Sequence, residues 1–519
     1  MLSLSPVARM WSLLTTVGVL IFLLNIDYTA VNLTLVPIAS ETKSDLNTLQ
    51  WLLSAYVLTW AALVVPGGRF ADLKGKVKTL NFGIIIFMLG SALTGIGHTA
   101  WALIVGRILQ GLGAALFSAP AYGLIFSSTP PEKQGLAMGF IGALAGLGLA
   151  AGPTLAGWII DSIGWRWIFY INIPLGLLVI FALKLFAEKD HAQENAVRIN
   201  YRSSSFLILG MALFFFALNQ FEVWGLEDPR LWGLATAGLG MLAYFWRYDK
   251  RQKNSTIPKS FLKNKAFMGT IWSILISAYV FSMSLVLIAL YLQNTLKLSA
   301  AEAGYTFLAM TLALGVLSPI GGKLADKMDI KIPINVGFGF GILSCILMMF
   351  WQSHTSLAFV IIGLLMAGIG LGVSFPSINT AMFRTLPSAE INSGSALFTM
   401  AMMIGNTLSV IINTSLLVFV ARPFLLKSIQ DQRLIFTPEQ TQQLLDLTGK
   451  IDHSVSQFNL FSADLKMTTM TLVDEAFLVG FRTCMGLGVV LLTTGILIIQ
   501  ARLKNSVSST SVGVMPAHI

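Results

Sequence analysis

The chain has 519 residues, of which 55% are hydrophobic and only 11% charged, with a mean hydropathy of +0.75. Water-soluble domains carry about 25% charged residues, so this composition excludes a soluble globular protein and makes the bilayer the solvent. The formal net charge of +10 does not point to nucleic acid, because the cations lie in short loops between apolar segments, where topology signals belong.

A helix rising about 1.5 Å per residue needs about 20 apolar residues to cross about 30 Å of hydrocarbon. Fourteen segments meet that need, near 11–38, 48–68, 79–97, 100–128, 134–160, 165–187, 203–222, 230–248, 266–293, 301–322, 333–352, 356–382, 393–421 and 476–501. The predicted fold is therefore an all-α integral membrane protein with 14 transmembrane helices and both termini on one side. The first segment exceeds a signal-peptide core and is read as a retained span. Lys and Arg concentrate on the side of the termini; the loop 247–265 alone carries Arg247, Lys250, Arg251, Lys253, Lys259, Lys263 and Lys265. Both termini are expected in the cytoplasm.

The first segment contains Asp27, flanked by Asn25 and Asn32. An ionisable group in a span costs about 2.5–3.5 kcal/mol on insertion scales, so it marks a functional site by default. Asp27 is expected to face a central cavity, carry protons and favour a cationic substrate. The loop after the second segment reads Pro66-Gly-Gly-Arg-Phe-Ala-Asp-Leu-Lys-Gly-Lys-Val-Lys78, with Gly68, Asp72, Gly75 and Lys76 forming a tight, basic turn. The fourth segment carries Arg107, which cannot shed its charge and must find a counter-charge; Gln110 follows one turn later. The fifth carries Gly148, Gly152, Pro153 and Gly157, a small-residue stripe with a helix-bending proline, suited to a gate. Glu222 ends the seventh. Asn25, Asn32, Gln110 and Glu222 are candidate substrate-cavity residues.

The turn recurs as Pro319-Ile-Gly-Gly-Lys-Leu-Ala-Asp-Lys-Met-Asp-Ile-Lys331, with Gly322 and Asp326 in matching places and Asp329 where glycine stood. Gln110 to Pro120 resembles Ala367 to Pro376, and Thr129 to Glu132 resembles Leu386 to Glu390. The chain thus divides into two six-helix pseudo-repeat halves, 1–187 and 266–502, with an inserted helix pair and basic linker at 188–265. A long outer loop spans 422–475, in which Thr437 and Gln440 form a capping pattern for a short amphipathic helix. A Ser-rich tail, 503–519, is expected to be disordered.

These residues carry a resemblance. Gly68-x-Phe-Ala-Asp72-x-x-Gly75-Lys76 is similar to the loop signature of the major facilitator superfamily. Arg107 to Gly113, Gly148-x-x-x-Gly152-Pro153, Asp27-x-Thr29-x-x-Asn32 and Trp165 to Gly176 resemble motifs of its fourteen-helix drug:proton antiporter family, the multidrug efflux type. Val36 stands where that pattern has proline, Leu73 where it has a basic residue, and Ala156-Gly157 where it has a glycine pair. The resemblance implies a secondary active transporter exporting amphipathic compounds across a bacterial cytoplasmic membrane. Asp27 and Arg107 would couple the proton, while Gly68, Asp72, Gly75, Lys76, Gly148, Gly152, Pro153, Gly157, Gly322 and Asp326 would serve gating. The expected partners are a small amphipathic substrate, protons, lipids and a periplasmic adapter docking on the outer loop, with no nucleic acid. No catalytic cluster, metal site or cofactor other than the proton is expected: the five histidines are scattered, and Cys345 and Cys484 both lie in apolar segments. The alternative is dedicated export or uptake of one metabolite, such as a siderophore, a vitamin or a lipid.

Overall fold

The computed structural model describes residues 5–44, 46–188, 200–220, 224–225, 228–252, 254–447 and 463–503. The calls on Glu222 and on the tail beyond Leu503 fall outside these residues. Among the described residues there are fourteen long helices: α1 (Pro6–Thr42), α2 (Leu46–Lys74), α3 (Lys76–Ile96), α4 (Ala100–Ser128), α5 (Gln134–Ile163), α6 (Asn172–Phe186), α7 (Tyr201–Asn219), α8 (Pro229–Asp249), α9 (Lys265–Leu290), α10 (Ala300–Lys327), α11 (Lys331–Met349), α12 (Leu357–Arg384), α13 (Ile391–Asp431) and α14 (Ala463–Arg502). Local chemistry sets many of their starts. Thr99, Ser356 and Asn200 cap α4, α12 and α7, and Asn264 accepts from the Ala266 and Phe267 N–H groups at the start of α9. Ser299 and Glu302 close a reciprocal capping box on α10.

Thirteen of the described helices are long and apolar enough to cross a membrane. The remaining one, α8, has 21 residues of helix and packs along α7, but it falls short in hydropathy. Gly, Trp and Tyr take the places that Leu, Ile and Val fill elsewhere.

One contact pattern occurs twice along the chain. In the first half α1 packs on α5 and α6, α2 on α4, and α3 on α4 and α6. Adding eight to each number reproduces the packing of the second half: α9 on α13 and α14, α10 on α12, and α11 on α12 and α14. The halves meet through α5 with α10 and α2 with α13, two seams that this symmetry exchanges. The inserted pair attaches through α7 to α2, where Asn219 Nδ2 donates to Ser54 Oγ at 2.6 Å and the Phe216 and Trp51 rings lie 5.1 Å apart.

The expected outer loop is largely helical at its edges. α13 continues to Asp431 and α14 begins at Ala463, flanking a short helix at Pro438–Leu447. Thr437 and Gln440 cap that helix reciprocally, at 2.9 and 3.2 Å. Leu425, Leu444, Leu472 and Val473 bury one another in a small separate core, so the helices run past the limits that hydropathy alone suggests.

Candidate functional site

Asp27 lies in the interior of the first half, 1% exposed, and five helices converge on it. Its Oδ2 accepts from Arg107 Nη1 of α4 at 2.6 Å. Its Oδ1 accepts from Gln110 Nε2 at 3.0 Å and from Asn172 Nδ2 of α6 at 2.9 Å. Ser91 Oγ of α3 accepts from the same two amides, at 2.7 and 3.1 Å. Arg107, also 1% exposed, donates twice more inside the cluster: Nε to the Leu52 carbonyl of α2 at 2.8 Å and Nη1 to Gln110 Oε1 at 2.8 Å. Its guanidinium sits 4.2 Å from the centre of the Tyr56 ring. A buried ion pair tolerates a low-dielectric site only when the spare lone pairs and protons are satisfied in this way.

A cavity of about 360 Å³ lies between the halves. Asn25, Tyr28, Trp60 and Ser118 line it from the first half, Leu218 and Asn219 from α7, and Phe281, Asn379, Met402 and Asn406 from the second. Among the described residues its lining contains no Asp, Glu, Lys, Arg or His. Asp27 stands behind this wall and does not open onto the cavity, contrary to the expectation. One turn of α1 presents Asn25 and Tyr28 to the cavity and turns Asp27 inward. Gln110 belongs to the Asp27 cluster. Asn32 is exposed, donates to the Thr29 carbonyl at 3.2 Å and lies outside the lining.

The repeated turn builds two matching latches across the seams. Asp72, near the end of α2, accepts from Asn392 Nδ2 at 2.7 Å, from the Ser393 N–H at 3.1 Å and from the Ser393 hydroxyl, all at the start of α13. Asp326, near the end of α10, accepts from the N–H groups of Gly135 and Leu136 at the start of α5, at 2.7 and 2.8 Å. Arg384 adds an ion pair to Asp326 at 2.8 Å. Each carboxylate thus sits on the positive end of a helix of the opposite half. Lys76 donates to Ser127 Oγ at 2.8 Å. Gly75 turns at φ 99°, which favours glycine; in the second copy Asp329 instead accepts from the Lys331 N–H at 3.0 Å and starts α11. Arg69 donates to the carbonyls of Ser255 and Thr256, at 2.6 and 3.0 Å, tying the basic linker to the same end.

Glycines bring the backbones together near these latches. A Cβ on Gly322 would strike the Gly135 carbonyl oxygen, and one on Gly68 would strike Ala396 and the Asn392 carbonyl at 2.6 Å. Gly139, Gly142 and Gly146 continue the α5 seam against Ser318 and Leu314. Gly148 and Gly152 face the other way, against Phe22 and Thr29 of α1, and Gly157 meets nothing within 4 Å. Pro153 lies within α5 beside them. The halves therefore close at the end carrying the basic loops. Sequence reasoning gave no role in this cluster to Ser91, Tyr56, Asn172 or the Leu52 carbonyl.

Paired helical halves around a central cavity define a membrane transporter. The family model for the Major Facilitator Superfamily matches residues 17–410, and the chain belongs to that superfamily. It is 28% identical over 404 residues to the multidrug resistance protein Stp of Mycobacterium tuberculosis, covering 76% of this chain and 73% of that one. It is 29% identical over 395 residues to the riboflavin transporter RibZ of Clostridioides difficile, covering 74% and 83%. Among solved structures, the proton:xylose symporter XylE matches with a TM-score of 0.57 at 13% identity, over 96% of both chains, a likeness of fold.

Proposed function

We propose that the protein is a proton-coupled exporter of amphipathic, uncharged compounds, working by alternating access, with its basic loops and termini in the cytoplasm of a bacterial cell. One observation carries this reading: a satisfied Asp27–Arg107 pair is buried in one half, directly behind a cavity whose lining has no charged side chain. An unneutralised cation in such a cavity would lose its hydration without a counter-charge, so the earlier expectation of a cationic substrate gives way to a neutral one. With the latches closed at the end assigned to the cytoplasm, alternating access would open this cavity towards the outside. Proton entry neutralises Asp27, loosens Arg107 and shifts the balance between the two access states. One charge moved through 100 mV is worth about 2.3 kcal/mol, enough for roughly tens-fold accumulation per proton. Asp27→Asn is expected to abolish compound-induced proton release in everted vesicles while compound binding persists. Full proton-coupled efflux in that variant would refute the reading.

A second reading is favoured by the four carboxamides at the cavity, Asn25, Asn219, Asn379 and Asn406. They suit one dedicated neutral metabolite with amide or hydroxyl edges, as the similarity to a riboflavin transporter also suggests. Transport of a single compound from a panel of dyes, antiseptics and vitamins would select this reading over the multidrug one.

A further inference from the structure

We propose that Tyr56 links the buried Asp27 site to the substrate cavity, as a positioning residue for Arg107. This rests on the proton-coupled reading above and adds the residue that transmits the coupling.

Three observations meet at this side chain. Its ring lies 4.2 Å from the Arg107 guanidinium. The same ring packs against Trp60, with centroids 5.7 Å apart. Trp60 is part of the cavity wall, and its Nε1–H donates at 3.0 Å to Ser118 Oγ on that wall. Finally, the Tyr56 hydroxyl is buried and has no hydrogen-bond partner among the described residues. Buried hydroxyls left unpaired are rare because the lost hydration is not replaced.

The ion-paired state accounts for the orphan. Both Asp27 oxygens are already occupied, by Arg107, Gln110 and Asn172. A proton on Asp27 removes the charge that holds Arg107 at 2.6 Å. The guanidinium then keeps its contact with the Tyr56 ring, and the carboxyl oxygen it leaves becomes an acceptor for the Tyr56 hydroxyl. A compound that pushes on Trp60 moves the same ring from the cavity side. Proton and compound therefore act on one side chain from opposite faces of the wall, which is the differential contact that linkage between two sites requires. The charged and titratable groups acting on Tyr56 are Asp27 and Tyr28 of α1 and Arg107 of α4. α3 and α6 bring only the neutral Ser91 and Asn172 to the Asp27 cluster.

The test reads cavity access as a function of pH. Val410→Cys, on the α13 wall, reports access by its rate of reaction with a maleimide; the native Cys345 and Cys484 are buried. The rate is compared in the Val410→Cys chain, with Tyr56→Phe added to remove only the hydroxyl, and with Tyr56→Leu added to remove the ring. Nile red serves as the neutral probe ligand. Tyr56→Phe is expected to lower the midpoint of the pH profile by about one pH unit and to leave Nile red affinity at alkaline pH unchanged. Tyr56→Leu is expected to abolish the shift of that midpoint by bound Nile red. Should Tyr56→Leu fail to fold, Tyr56→Phe decides alone. An unchanged midpoint in Tyr56→Phe overturns the role of Tyr56 and leaves proton coupling standing. A flat profile with Tyr56 intact overturns proton coupling itself, and the proposal with it.

Discussion

At the scale of single residues, a carboxylate is ruled by the neighbours the fold gives it, as Glu41 shows outside the membrane spans. Glu41, near the end of α1, accepts from Arg166 at 2.6 and 2.5 Å and from the Trp165 indole at 3.0 Å. The Arg166 hydrogen bonds hold its carboxyl down at about 2. A folded-state value below the ordinary one of about 4.3 means that the contact stabilises fully above that pH and is lost as pH falls towards 2. Thermal unfolding in detergent should therefore show a decline in Tm across that acid window, and Glu41→Gln should remove this part of the decline while lowering Tm slightly at neutral pH. Asp27, Arg107 and Gln110 are legible in the sequence because a charge in an apolar run is costly and stands out. Ser91 and Tyr56 are not, since such residues are unremarkable in apolar helices until a carboxylate or a guanidinium is found beside them.

At the scale of elements, the glycines of α5 divide into faces that a linear stripe cannot separate. Gly135, Gly139, Gly142 and Gly146 meet α10 across the seam, while Gly148 and Gly152 meet α1 within the first half. Their spacing alone marks small-residue packing but leaves the partner open. Gly322→Ala should hold the seam apart, because its Cβ meets backbone and not a flexible side chain. Overpacking of this kind costs about 1–3 kcal/mol. Maleimide labelling of a cavity cysteine from the side of the basic loops should rise in this variant. Gly157→Ala, which meets nothing within 4 Å, should leave labelling unchanged and stabilise α5 by up to about 1 kcal/mol.

At the scale of the whole molecule, the two latches are one device used twice, each seating an aspartate on the helix start of the other half. Charge against a helix N-terminus is worth about 1 kcal/mol, or about fivefold in the balance of two states. Asp72→Asn and Asp326→Asn should each shift the population towards opening at the end of the basic loops by about that factor. Because the latches share no partner, the double variant should shift it by about thirtyfold, measured by distance distributions between spin labels on α2 and α13. A double variant no different from either single one would show that the latches do not act independently.

The sequence by itself determined that the bilayer is the solvent, that one loop motif occurs twice, and that Asp27 and Arg107 need each other or an equivalent partner. These follow from composition, repeated text and the cost of a lone buried charge, all properties that a linear chain carries. Only the tertiary structure decided that Asp27 turns away from the cavity, that Asp72 finds its partners 320 positions away at α13, and that the cavity wall is uncharged. The reason is rotational. Hydropathy says that a helix is buried, but the rotation of α1 about its own axis is set by the backbones it packs against, here Gly148 and Gly152 of α5 against Phe22 and Thr29. That rotation places Asn25 in the cavity and Asp27 behind it.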